Sequence, residues 1–195
     1  MSKIASEIAT VLFNTVSAGE SLYVILDAAR TFDIPFRLRS ANVEHTCLYQ
    51  GQSQEVLWHV APYLVRCEQD AAFVHWVLDQ GWGDSWGIFL TSQAGLEDLQ
   101  AHFRRFLIVK SEDDREFYFR FYDPRVVRVF LPTCTPEEIM QFFGPVSCYL
   151  TEGEQPDTLL KFTARQDGVQ QETLFLATPR APGIGNAAPD PALRE

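Results

Sequence analysis

Hydrophobic and polar positions follow three rhythms along this chain, and each rhythm predicts a different element. The stretch SLYVILDAA (21–29) is almost continuously apolar and bounded by Gly19 and Arg30, the pattern of a central strand covered on both faces. Farther along, Phe73, Val74, Val77 and Leu78 recur at helical spacing, which predicts a helix capped by Asp70 and ended by Gly81. WGIFL (86–90) reads as a short strand. Leu96, Leu99, Phe103, Phe106 and Leu107 then repeat with helical period, with Glu97 and Asp98 early and Arg104 and Arg105 late, as the helix dipole favours.

Strict alternation marks residues 116–122, where Phe117, Phe119 and Phe121 fall on one side and Tyr118, Arg120 and Tyr122 on the other, so the stretch predicts one strand. Asp123-Pro124 stops it and opens a helix to Leu131, because Asp caps well and Pro is tolerated at the first helical position. Thr135 and Glu138 have the spacing of a capping box, predicting a helix to Gly144-Pro145 with Ile139, Phe142 and Phe143 inward. Residues 146–150 and 158–165 predict paired strands around Gly153. Residues 48–67 leave strand and irregular structure both open. The sum is an α/β protein of the mixed α+β kind, a central sheet with flanking helices in one domain or two small lobes. The expected divisions are an N-terminal helical segment (1–20), a main domain (21–176) and a flexible tail rich in Pro and Ala (177–195).

Composition narrows the function. The net charge is -10, which repels nucleic acid and anionic lipid surfaces. The chain is not uniformly acidic, for residues 102–128 carry seven Lys or Arg against five Asp or Glu. No apolar run approaches the ~20 residues that cross a bilayer, and residues 1–16 carry Glu7 and lack a basic start joined to an apolar centre, so a cytoplasmic protein without stable membrane insertion is expected. Cys47, Cys67, Cys134 and Cys148 are scattered without a CxxC pair, which points to buried free thiols.

The chain contains no phosphate loop, no HExxH and no GxSxG, so no catalytic residue, metal or cofactor is expected. The nearest nucleophile pair is Cys47 with His45 or His59, the basis of an alternative reading as a small Cys-dependent enzyme. His75 and His102 lie in helical patterns where a hydrogen-bonded structural histidine is the commoner role. The run Glu112-Asp113-Asp114 reads as a solvated hairpin tip. Trp76, Trp82 and Trp86 fall within eleven residues and are expected first to fill a core, with Trp82, in its glycine-rich turn, the one expected to be exposed and to anchor a partner. Arg120, Arg125 and Arg128 occupy the basic stretch, where partner contact competes with an internal salt bridge to Asp123.

WGIFLTS, LEDLQAHFRRFLIVK, FYFRFYDPRVVRVFL and FFGPV follow one another in an order that resembles the type VI secretion effector adaptor or chaperone family, also called Tap or Tec proteins. The likeness spans residues 21–150 and is most specific at Arg120 to Arg125. It implies a cytoplasmic protein that binds a toxic effector, commonly near an N-terminal or membrane-inserting segment, and helps load it onto a VgrG spike or PAAR tip. The partner surface expected on this basis comprises Trp82, Trp86, Arg120, Tyr122, Arg125 and Arg128, with Asp123 and Pro124 as a structural motif. The segment held is expected to be largely apolar. A non-catalytic regulatory or immunity-like binding protein is the alternative within the same class.

Overall fold

The computed structural model describes residues 2–69, 71–110, 113–155 and 157–176. In chain order the elements are α1 (Lys3–Asn14), β1 (Ser21–Asp27), α2 (Asp33–Ser40), β2 (His45–Cys47), α3 (Gly51–Leu57), β3 (Pro62–Cys67), α4 (Ala72–Gly81) and β4 (Gly87–Ser92). They continue with α5 (Leu96–Arg104), β5 (Ile108–Lys110), β6 (Glu116–Tyr118), α6 (Pro124–Phe130), α7 (Pro136–Phe143), β7 (Val146–Glu152), β8 (Thr158–Arg165) and β9 (Gly168–Phe175). Seven strands form one antiparallel sheet in the order β2-β3-β1-β4-β7-β8-β9, and β5 with β6 forms a separate two-stranded hairpin.

The apolar run of β1 explains the architecture. Successive side chains of a strand point to opposite faces, so Leu22, Val24 and Leu26 join one core while Tyr23 and Ile25 join another. The first core is closed by Ala5, Ile8 and Leu12 of α1, Ile34 and Leu38 of α2, and the Phe73, Val74, Val77 and Leu78 stripe of α4. The second takes Leu99 and Phe103 of α5, Val127 of α6, and Ile139, Phe142 and Phe143 of α7. Helices therefore cover both faces of the sheet, and β1 is buried between them, as its sequence predicts. The N-terminal helix packs into the same core as the main sheet.

Local signals place the helix starts. Thr135 and Glu138 form the reciprocal capping box, with Glu138 N to Thr135 Oγ1 at 3.2 Å and Thr135 N to Glu138 Oε2 at 2.7 Å. Asp123 caps α6 with Pro124 in the first turn. Gly144 ends α7 at φ +48°, and a β-carbon there would collide with the His102 ring, so glycine answers both backbone and space. The expected cap Asp70 and the tail 177–195 lie outside the described residues.

Several elements differ from the sequence reading: α2 and β2 have no predicted counterpart, and α5 ends at Arg104, short of the Phe106 and Leu107 of its expected repeat. Residues 48–67 resolve into α3, a short 3-10 turn (Trp58–Val60) and β3. β9 has no counterpart in the predicted elements, because its GVQQETLF sequence is an exposed edge strand with little apolar alternation. The strand expected over 116–122 stops at Tyr118, and both Phe121 and Tyr122 are buried rather than opposed across a sheet.

Candidate partner-binding surface

The residues from Arg120 to Arg125 build an ionic junction. Asp123, 3% exposed, accepts the Arg125 backbone N–H at Oδ1 (3.0 Å) and is gripped by the same residue's guanidinium, Nε to Oδ1 at 3.0 Å and Nη2 to Oδ2 at 2.7 Å. Arg30, from the turn after β1, adds Nη2 to Oδ2 at 2.7 Å. Arg120 pairs not with its neighbour Asp123 but with Asp27 at the end of β1, a buried carboxylate that also accepts Ala29 N–H at 3.0 Å. Two buried aspartates and three arginines thus fasten the start of α6 to the end of β1. Burial pushes the Asp123 carboxyl up, but hydrogen bonds from Arg125 and the Arg125 and Arg30 charges outweigh it and hold the pKa below its ordinary 3.8.

This geometry reassigns several candidate residues. Arg120 and Arg125 are engaged internally, although 42% and 56% of their side chains remain exposed. Tyr122 is buried at 3% exposure and its phenol is held far above the ordinary value of 10.0, first by desolvation and then by Tyr49, so it is a core residue and not a surface contact. Trp86 is half-buried, its ring 5.1 Å from that of Trp76 and filling the space above Gly81. Trp82, expected to stand exposed in its turn, is half-buried against the first core. In both cases the aliphatic floor of α4 and β4 offers more apolar surface than the turn itself, and the indoles lie down on it.

Three of the six candidates meet in one cleft of about 220 Å³, lined by Trp82, Arg125, Arg128 and Glu152 among others. Arg128 Nη1 donates to the backbone carbonyls of Glu152 (2.9 Å) and Gly153 (3.2 Å). The Glu152 carboxylate accepts Gly83 N–H at 2.7 Å and both the N–H and hydroxyl of Ser85, at 3.0 and 3.2 Å. Burial raises its pKa above the ordinary 4.5 against those hydrogen bonds. The cleft is held rigid by its own polar contacts.

Exposed apolar side chains lie elsewhere, at positions the sequence reading did not select. Phe32 (66% exposed) stacks on His59, Phe36 (56%) meets Trp58 edge-on, and the Arg39 guanidinium lies 4.2 Å from the Trp58 ring centre. The four-residue spacing of Phe32 and Phe36, opposite the buried Ile34 and Leu38, was the available signal. On the hairpin, Ile108, Val109, Phe117 and Tyr118 are all between 42% and 56% exposed. The tip at Asp113 and Asp114 is exposed, as expected of a solvated turn.

The four thiols share one electrostatic setting. Burial pushes Cys47, Cys67, Cys134 and Cys148 above the ordinary thiol value, and the His45 ring uses Nδ1 on the Val43 carbonyl at 2.8 Å. Among the described residues no group of three His, Cys, Asp or Glu side chains is placed to hold a metal ion, and no helix is long and apolar enough to cross a membrane.

The class this architecture defines is a mixed α+β domain built on a seven-stranded antiparallel sheet with helices on both faces. The chain belongs to the family described as Domain of unknown function (DUF4123), whose model matches residues 22–141, from β1 into α7. Searches of curated proteins and of solved structures found no match.

Proposed function

We propose that this protein is a non-catalytic, cytoplasmic adaptor or chaperone of type VI secretion, which binds a toxic effector and promotes its loading onto a VgrG spike or PAAR tip. Membership of the matched family over the region that carries the adaptor resemblance supports the reading. The observation that carries it is the disposition of apolar surface: with two sizeable cores already closed, large side chains on the hairpin and on α2 remain exposed. Exposed apolar patches of this kind mark protein interaction sites, and aromatic anchors dominate such interfaces. Thiols raised by burial weigh against the Cys-dependent alternative.

Co-expression with a candidate type VI effector toxin, followed by pull-down with the toxin's N-terminal fragment, tests the proposal. Capture, together with lost delivery but intact toxicity when the gene is deleted, is the expected result. Neutralised toxicity would place the protein in the immunity-like class, and turnover abolished by Cys47→Ser would make it an enzyme.

A further inference from the structure

Helix α2 is apolar on its outer side as well as its inner one. Ile34 and Leu38 enter the first core, while Phe32, at the N-cap, and Phe36 stand on the opposite side, mostly in solvent. The outer rings are not scattered. Phe32 stacks on His59 at 6.2 Å, Phe36 meets Trp58 at 5.9 Å, and Trp58 lies 5.8 Å from His59, ring centre to ring centre. These side chains form one continuous ridge across α2 and the 3-10 turn, and nothing among the described residues covers it. Exposed apolar side chains scattered singly are ordinary in a monomer, whereas a contiguous patch marks an interface.

The charges on the ridge select what covers it. Asp33 and Arg37 lie one turn apart on α2, both exposed and both on the same side of Phe36. Yet neither forms an ion pair with the other or with any other described residue. The Arg37 guanidinium lies instead over the Trp76 ring, 4.5 Å from its centre. A guanidinium stacked in this way keeps its in-plane N–H donors free for a carboxylate. Arg39, over the Trp58 ring, shares a cleft with Glu55. The ridge thus sets two cations against two carboxylates and is neutral, in a chain of net charge -10. Such a surface is complementary to itself. When a second copy lies antiparallel across α2 about a two-fold axis, Asp33 comes opposite the second copy's Arg37, Arg37 comes opposite its Asp33, and the two Phe36 rings meet between them. Acidic charge elsewhere on the chain opposes this contact only weakly, because salt screens it over about 8 Å at physiological ionic strength.

We propose that the outer face of α2 is a self-association surface, through which two copies of this chain form a two-fold dimer with antiparallel α2 helices, Phe32 and Phe36 at its centre and crossed Asp33–Arg37 pairs at its flanks. The inference goes beyond the adaptor reading and takes only the α2 part of the exposed apolar surface on which that reading draws.

Sedimentation equilibrium of the full chain across a concentration series reads the dimer dissociation constant. The wild type is expected to dimerise, and Phe32→Ser/Phe36→Ser to raise the dissociation constant by about tenfold or more, the scale of anchor residues. A Phe117→Ser/Tyr118→Ser variant, altered at exposed aromatics outside α2, should dimerise as the wild type does. Asp33→Arg and Arg37→Asp should each weaken self-association, because like charges then face one another, whereas mixing the two variants should restore a heterodimer in which each new charge meets its opposite. This exchange carries the test even where a substitution lowers the thermal unfolding midpoint, since mixing does not repair a folding defect. A wild type that stays monomeric, a dimer indifferent to the α2 variants, or charge variants whose mixture gains nothing would each overturn the proposal. So would a monomer that captures the toxin's N-terminal fragment and loses it on Phe32→Ser/Phe36→Ser, which would give the ridge to a different partner.

Discussion

Phe117 and Tyr118 stand 49% and 56% exposed, while Phe121 and Tyr122, four residues later in the same aromatic run, are 0% and 3% exposed. The two pairs have the same chemistry and nearly the same sequence pattern. What separates them is the ionic junction: Arg120 is drawn to Asp27, Asp123 N–H turns back onto the Arg120 carbonyl at 3.0 Å, and the chain between them is pulled against the sheet. Phe121 then lies among Phe103, Phe106 and Phe142 at ring-centre distances of 5.6 to 6.3 Å. Alternation sets which side chains share a strand face; it does not decide whether that face meets a core. The buried half of the run serves the fold, and the exposed half stays at the surface.

The comparison breaks most directly at Phe121. Phe121→Ala should destabilise the protein by about 3–5 kcal/mol, the cost of emptying a packed aromatic site, measured as the urea midpoint at constant m. A change below about 1 kcal/mol would mean the buried half is no better packed than the exposed half.

Asp123→Ala comes next, at about 2–4 kcal/mol, because it removes a helix cap and also the buried acceptor of Arg30 and Arg125. Its pKa is depressed in the fold, so this stabilisation is present above the ordinary 3.8 and fades as pH falls below it. Denaturant titrations of both forms at neutral and acid pH should converge at the acid end. A gap that persists there would assign the loss to something other than the ionised cap.

His102 sharpens the comparison from beneath the aromatic cluster, where its ring meets Phe103 and Phe106. Arg105 Nη2 has only protons to offer at 2.7 Å from Nδ1, so Nδ1 accepts and Nε2–H donates to the Phe142 carbonyl at 2.9 Å. The neutral ring is favoured by burial and by the Arg105 charge, against the Phe142 carbonyl, and its pKa falls below the ordinary 6.5. The unfolded chain therefore takes up a proton that the fold refuses, and stability should decline as pH drops below about 6.5. His102→Gln should flatten that slope. An unchanged slope would locate the titration elsewhere.

The smallest effect is the other half of the opening contrast. Phe117→Ala should shift stability by no more than about 0.5 kcal/mol, as expected of an exposed site. A loss as large as that of Phe121→Ala would mean that the hairpin contributes to the fold itself.

The helices from α4 to α7 were legible in the sequence because their signals are local. A capping box, an Asp-Pro start or a stripe of Phe and Leu is settled within one or two turns, and Thr135, Asp123 and the Phe73 to Leu78 stripe act as their spacing predicts. The continuous apolar run of β1 likewise determined a strand buried on both faces. Tertiary structure alone decided the rest. Arg120 had a carboxylate three residues away and took one 93 residues away, because the end of β1 brings Asp27 against it. Tyr122 became a core residue and Trp86 a half-buried one because α4, β4 and the Tyr49 segment close over them. The hairpin stayed outside although its side chains are as apolar as those inside. Burial depends on which distant elements arrive to cover a residue, and that information is spread over the whole chain rather than written in any one window of it.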